Sequence, residues 1–125
     1  MNIKMTSVHV NDPLAAYTFY TEILGFVKIM YMPEANLAIV AASSDPGDTA
    51  LLLEPASTPY VKTYQESLYR AGLPSIVFDS DDIKSECKKL KGLGVKFIQD
   101  VTVTEWGIIA QFDDTCGNYI QIHQS

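Results

Sequence analysis

The sequence predicts an α+β fold of two tandem β-α-β-β-β modules, forming a curled, cleft-bearing mixed sheet with helices on its outer face. Two observations carry this expectation. Leu24-Gly25-Phe26-Val27-Lys28-Ile29 lies over Leu93-Gly94-Val95-Lys96-Phe97-Ile98 and agrees in residue type at four of the six positions, and the same offset of 69 lays Asp12 on Asp81 and Val8 on Val77. Each half also carries one helical periodicity set among short strand-like runs. A chain of 125 residues fits one domain and is short for two independent cores, so the modules (about 1–55 and 75–125, with a connector at about 55–74) are expected to pair.

The elements follow in order. Residues 3–10 alternate, with Val8 and Val10 set against Ser7 and His9, as in a strand with one buried face. Asn11-Asp12-Pro13 opens a helix with a side-chain cap and proline in the first turn. Ala16, Phe19, Tyr20, Ile23 and Leu24 form its apolar stripe, and Gly25 ends it. Strands are expected at 26–32, 37–42 and 49–54, separated by the turns 33–36 and 43–48. In the second half a strand spans 75–80, and Asp81-Asp82 cap a helix carrying Ile83, Cys87, Leu90 and Leu93 up to Gly94. Lys88, Lys89 and Lys91 suit the C-terminal end of that helix and read as a solvated face. The closing strands are expected at 95–99, 104–112 and 119–123, the last two joined by the turn 113–118.

Composition narrows the function. Hydrophobic residues make up 47% of the chain, enough to fill a core, and the net charge of −6 includes a single arginine, Arg70. So little fixed positive charge argues against nucleic acid as a partner. No apolar run approaches the roughly 20 residues that cross a bilayer, so no membrane partner is expected, and no signal peptide is visible. Cys87 and Cys116 have no second thiol at metal-ligand spacing and read as reduced thiols of a cytoplasmic protein. Nucleophile elbows, phosphate-binding glycine loops and His-Glu-x-x-His are missing from the sequence.

Three segments resemble the vicinal oxygen chelate superfamily of glyoxalases, bleomycin-resistance proteins and extradiol dioxygenases. Val8-His9-Val10-Asn11-Asp12, with Phe19-Tyr20 and Leu24-Gly25-Phe26, is similar to the family's first strand and helix. Trp106-Gly107 leading to Phe112 resembles its seventh strand. Asp114-Thr115-Cys116-Gly117-Asn118, followed by Tyr119-Ile120-Gln121-Ile122, resembles its Asp-Pro-x-Gly-Asn turn and last strand, with Thr115 in place of proline. Family enzymes hold one divalent metal, and the resemblance maps the four ligand positions onto Met5, Glu54, Ser75 (or Pro74) and Gln121. Only Glu54 is a strong ligand, because thioether, hydroxyl and carboxamide groups suit zinc, nickel or iron poorly. The ordinary metal site is therefore expected to be absent, with no cofactor. A displaced site built from His9, Glu54 and His123 is the alternative.

Strand alternation places Met5, Ser7 and His9 on the cleft face, with Ala50, Leu52 and Glu54, with Ser75, Val77 and Asp79, and with Tyr119, Gln121 and His123. Trp106 and several tyrosines add stacking surface, and the tyrosine-bearing connector is a candidate cover. Glu54 is either a solvated strand end or, in a partly apolar cleft, a general base. Three functions compete: a metal-independent binder of a small molecule, a lyase, isomerase or dioxygenase with an atypical metal site, and a metal-free lyase or isomerase using Glu54. The resemblance also implies a homodimer.

Overall fold

A computed structural model describes residues 1–45 and 47–125. The strands are β1 (Met5–Val10), β2 (Val27–Met32), β3 (Leu37–Ala41), β4 (Ala50–Pro55), β5 (Pro74–Asp79), β6 (Phe97–Thr104), β7 (Gly107–Asp113) and β8 (Tyr119–Gln124). The helices are α1 (Pro13–Thr18), continued by a π-helical turn at Phe19–Ile23, α2 (Pro59–Arg70) and α3 (Ile83–Gly92). Two compact units divide the chain, Met1–Thr63 and Tyr64–Ser125.

In the first unit the strand order is β1-β4-β3-β2, with β1 parallel to β4 and the other pairs antiparallel. The second unit repeats the pattern as β5-β8-β7-β6. This identity of order is what a duplicated module requires, and the α+β class follows from it. Each sheet buries one face. Val8, Val10, Ala38, Val40, Leu51 and Leu53 are buried with Ala16, Phe19 and Tyr20 of the first helical segment. Ala110, Phe112, Ile120 and Ile122 are buried with Ile83, Cys87 and Leu90 of α3. A fully buried side chain such as Leu53 or Ile83 contributes roughly 1.5–3 kcal/mol by leaving water. The helices begin as their caps dictate. Asp12 accepts the Leu14 N–H, Asp82 accepts the Ser85 N–H, and Gln124 of β8 reaches across to accept the Ile83 N–H at 2.7 Å.

The repeat is less uniform than a single offset of 69. The two cap residues are Asp12 and Asp82, 70 apart, whereas the helix-ending glycines, Gly25 (φ +83°) and Gly94 (φ +90°), are 69 apart. The first helical segment thus holds one residue more, and the extra residue is absorbed in its π-helical turn, where the Leu24 N–H reaches back five residues to the Phe19 carbonyl. A second adjustment sits in β5. Pro74 pairs with Tyr119 but Ile76 pairs with Ile120, leaving Ser75 as a bulge residue. Beyond the bulge Val8 corresponds to Phe78, since Val8 pairs with Leu53 and Phe78 with Ile122. The expected matches of Val8 to Val77 and Asp12 to Asp81 are corrected by one residue.

Two further expectations change. The strand expected at 104–112 is interrupted: Thr104-Glu105-Trp106-Gly107 is the hairpin turn between β6 and β7, which pair from Thr104↔Gly107 onward. The Thr104 hydroxyl closes this turn by donating to the Gly107 carbonyl and accepting the Trp106 N–H. The connector at 55–74 contains the twelve-residue helix α2, whose Gly72 (φ +71°) supplies the left-handed stop.

The turn after β7 is built around Asp114, which is wholly buried. Its carboxylate accepts the Cys116 N–H, the Asn118 N–H and the Asn118 side-chain amide. Thr115 lies at φ +63° within it. Proline cannot take that angle, so the threonine in the family's proline position accompanies a different local backbone. A β-branched residue is strained there. Thr115→Gly is expected to stabilise the protein by about 1 kcal/mol, read as a rise in thermal midpoint of about 3–5 °C. A fall in midpoint overturns this account of the turn.

Candidate functional site

Cross-strand pairing sorts each sheet's front face into rows, because residues directly opposite one another share a face. In the first unit His9 pairs with Glu54, Ser7 with Leu52, and Met5 with Ala50. The rows continue onto β3 and β2, where Leu52 pairs with Ile39 and Ile39 with Met30, while Leu37 pairs with Met32. The face therefore runs from polar groups on β1 to methionines on β2. Met5 and Met30 are exposed, and Leu52, Ile39, Leu37 and Met32 are half-buried.

His9 and Glu54 form the most reactive-looking pair on this face. The imidazole Nε2 lies 3.6 Å from the Glu54 carboxylate, with both side chains about one-third exposed (36% and 33%). The second unit repeats the pair with its members exchanged: Asp79 on β5 pairs with His123 on β8, at 3.7 Å from Nδ1 to the carboxylate. Sequence reading put these histidines and carboxylates on the front faces but missed that each sheet carries a histidine–carboxylate rung at or next to the end of its parallel strand pair. His123 is the more constrained of the two. Its Nε2 lies 2.8 Å from the Trp106 carbonyl, which can only accept, so Nε2 carries a proton and Nδ1 faces Asp79.

The metal-ligand positions implied by the resemblance do not assemble into a fitting donor set. Met5 and Glu54 share a face, yet the Ser7–Leu52 rung separates the rungs on which they stand. Four residues along a strand span about 13 Å, far beyond a shared coordination sphere. Glu54 is turned instead toward His9. In the second unit Ser75 sits in the bulge and donates its hydroxyl to Asn118 at 2.9 Å, and Gln121 offers only a neutral carboxamide. Among the described residues no three His, Cys, Asp or Glu side chains cluster as a metal site needs. The residues present do not fit the divalent metal of the family's enzymes, judged by the donor types and by the register.

The remaining expected site residues distribute as follows. Val77 is exposed at the β5 edge of the second front face, with Gln121 beside it. Tyr119 lies one rung away, stacked on Tyr69 of α2 with ring centroids 4.3 Å apart and planes within 3°. The Tyr69 hydroxyl donates to Asp113 at 2.5 Å, and this bond to a carboxylate pushes its ionisation far above the ordinary tyrosine value. Trp106 stands at the hairpin tip, 84% exposed. Tyr60 and Tyr64 are exposed on α2. The local signals for α2 were Thr58-Pro59 at its start and Gly72 after its end, but its inward face carries Gln65, which donates to the Cys116 carbonyl, so no apolar stripe announced it. Cys87 and Cys116 are both buried, and burial pushes the Cys87 thiol above its ordinary value. No helix among the described residues is long and apolar enough to cross a membrane.

Comparison with known proteins agrees with this architecture. The chain is 44% identical over 126 residues to the uncharacterized protein YurT of Bacillus subtilis (strain 168), covering 99% of each. Among solved structures it is similar to UcmS2, with a TM-score of 0.82 and 22% identity over 100% of this chain and 98% of that one. It is also similar to TnmS3, an antibiotic binding protein from Streptomyces sp. CB03234, with a TM-score of 0.75 and 26% identity over 99% of this chain and 95% of that one. Residues 2–122 match the model of one family. With the duplicated sheet order and the Asp114 turn in place, the chain belongs to the glyoxalase/bleomycin resistance protein/dioxygenase superfamily.

Proposed function

We propose that this protein binds a small organic molecule against the front faces of its sheets, independently of a divalent metal. The observation that carries this reading is the register of β1 against β4, which sets Met5 and Glu54 apart and places between their rungs an apolar row of half-buried Leu52 and Ile39 and exposed Met30. Methionine side chains adapt to varied ligand shapes, and the aliphatic ones add apolar surface. The likeness to an antibiotic binding protein supports a ligand of that general kind. A net charge of −6 favours a cationic one. The protein is proposed to act in the cytoplasm as a homodimer.

The 3.6 Å approach of His9 to Glu54 favours one second reading, a metal-free lyase or isomerase in which Glu54 takes the proton and His9 holds the carboxylate in place. A metalloenzyme with displaced ligands is the remaining alternative.

A thermal-shift panel of cationic glycopeptides, aromatic antibiotics and thiol conjugates separates the three. The expected outcome is stabilisation by at least one class, undiminished by a chelator and weakened by Leu52→Asp, by about 2 kcal/mol or more at a hundredfold excess over Kd. Stabilisation that vanishes with chelator and returns with zinc, nickel or iron supports the metalloenzyme. Turnover abolished by Glu54→Gln with binding retained supports the base. No stabilisation by any compound near millimolar concentration defeats the binding reading.

A further inference from the structure

The front face of the second sheet differs chemically from the first. Gln121 on β8 pairs with Gln111 on β7, and Gln111 pairs with Gln99 on β6. Three glutamines therefore stand side by side in one row across three strands, with Val77 at the row's β5 end. The central one is locked: Gln111 is 5% exposed, and its side-chain N–H donates to the Gly72 carbonyl at 2.7 Å. Gln99 and Gln121 are half-buried, and among the described residues neither side chain has a hydrogen-bond partner.

The row is polar and uncharged, on a sheet whose other face is a closed apolar core. Each carboxamide offers two donors and one acceptor oxygen, with no net charge. Adjacent strands lie about 4.8 Å apart, so the row is about 10 Å long, with Gln99 and Gln121 offering donors and acceptors on either side of the buried Gln111. An apolar ligand laid on the strip strips water from these groups and returns no hydrogen bond, which costs more than its burial gains. A charged ligand finds no counter-charge within the row. A neutral ligand with its own amide or imide edge satisfies the carboxamides pairwise, and a site built to hydrogen-bond a ligand rejects analogues lacking the complementary group.

We infer that the Gln99–Gln111–Gln121 row is the polar recognition strip for a neutral amide or imide portion of the ligand, with Gln111 held by Gly72 as its fixed centre. The inference deepens, and rests on, the reading of this protein as a small-molecule binder.

The test uses the full-length protein labelled with ¹⁵N in its glutamine side chains and two probes. Uracil presents an imide edge, with one N–H between two carbonyls, and a second N–H at N1, and 1,3-dimethyluracil keeps the ring but has lost both N–H donors. In the roughly 10 mM range, uracil is expected to move the side-chain amide signals of Gln99 and Gln121 saturably, about tenfold more tightly than dimethyluracil. Gln99→Leu and Gln121→Leu, which alter only half-buried front-face positions, are expected to weaken uracil binding about tenfold each while leaving the thermal midpoint of the free protein near its parent value. Equal response to both probes, or unmoved signals, overturns the strip. If ligands from the thermal-shift panel bind and the leucine variants bind them and uracil unchanged, the strip fails while the binding reading stands. If nothing in the panel or the probe pair binds, both fail together.

Discussion

Gly107→Ala is expected to destabilise the protein by about 3 kcal/mol or more and to lower its thermal midpoint by about 10 °C. Gly107 opens β7 at φ +127°, a conformation that side-chain-bearing residues rarely adopt. A Cβ there falls 2.6 Å from the Gln124 carbonyl oxygen and 2.6 Å from the His123 Nε2. The imidazole can swing away, but then its bond to the Trp106 carbonyl is lost; the Gln124 carbonyl belongs to the β8 ladder and cannot move alone. Backbone strain, a broken bond and a displaced strand end combine at one site. Thermal unfolding measures the loss, and fluorescence of Trp106, the only tryptophan, reports whether the hairpin tip has moved. A midpoint within about 2 °C of the parent contradicts the steric account.

Asp114→Ala is expected to cost about 3–5 kcal/mol. Its carboxylate is wholly buried and satisfies two backbone N–H groups and one side-chain amide, at 2.7, 3.0 and 3.0 Å. Alanine leaves those donors without an acceptor in a space too enclosed for bulk water. The damage extends to Asn118, which accepts the Ser75 hydroxyl and whose carbonyl accepts the Asp114 N–H, so the turn loosens from β5 as well. Asp114→Asn keeps one oxygen for the two backbone donors and should lose distinctly less. Equal losses in the two variants, measured by chemical denaturation, refute the view that the acceptor geometry holds the turn.

These two residues show how differently parts of the molecule could be read beforehand. Asp114 stood within the Asp-Thr-Cys-Gly-Asn segment that carried the family resemblance, so its importance was visible from local sequence. Gly107 stood in the Trp106-Gly107 pair that resembles the family's seventh strand, but as a glycine inside an expected strand, and the meaning of its position came from β8 packing across it. The same division runs through the site. Period-two alternation put Met5, Ser7, His9, Leu52, Glu54, Gln121 and His123 on front faces, because side-chain direction along a strand is a local property. Which of them meet is a matter of register, and register is set by pairing between strands distant in the chain. Hence Glu54, which the resemblance groups with Met5 as a metal position, stands opposite His9, and the three glutamines looked unrelated until β6, β7 and β8 aligned them.

The duplication, the helix caps at Asp12 and Asp82, the stops at Gly25 and Gly94 and most of the buried stripes were determined by the sequence alone, Leu93 being the exception, exposed at the end of α3. Each rests on interactions within a few residues, so the residue types suffice. The single-residue adjustments at Ser75 and at Phe19–Ile23, the helix hidden in the connector and the rows of the two front faces were decided by the tertiary structure. They arise where one segment accommodates another, and that adjustment is made by packing and by non-local hydrogen bonds rather than by local preference.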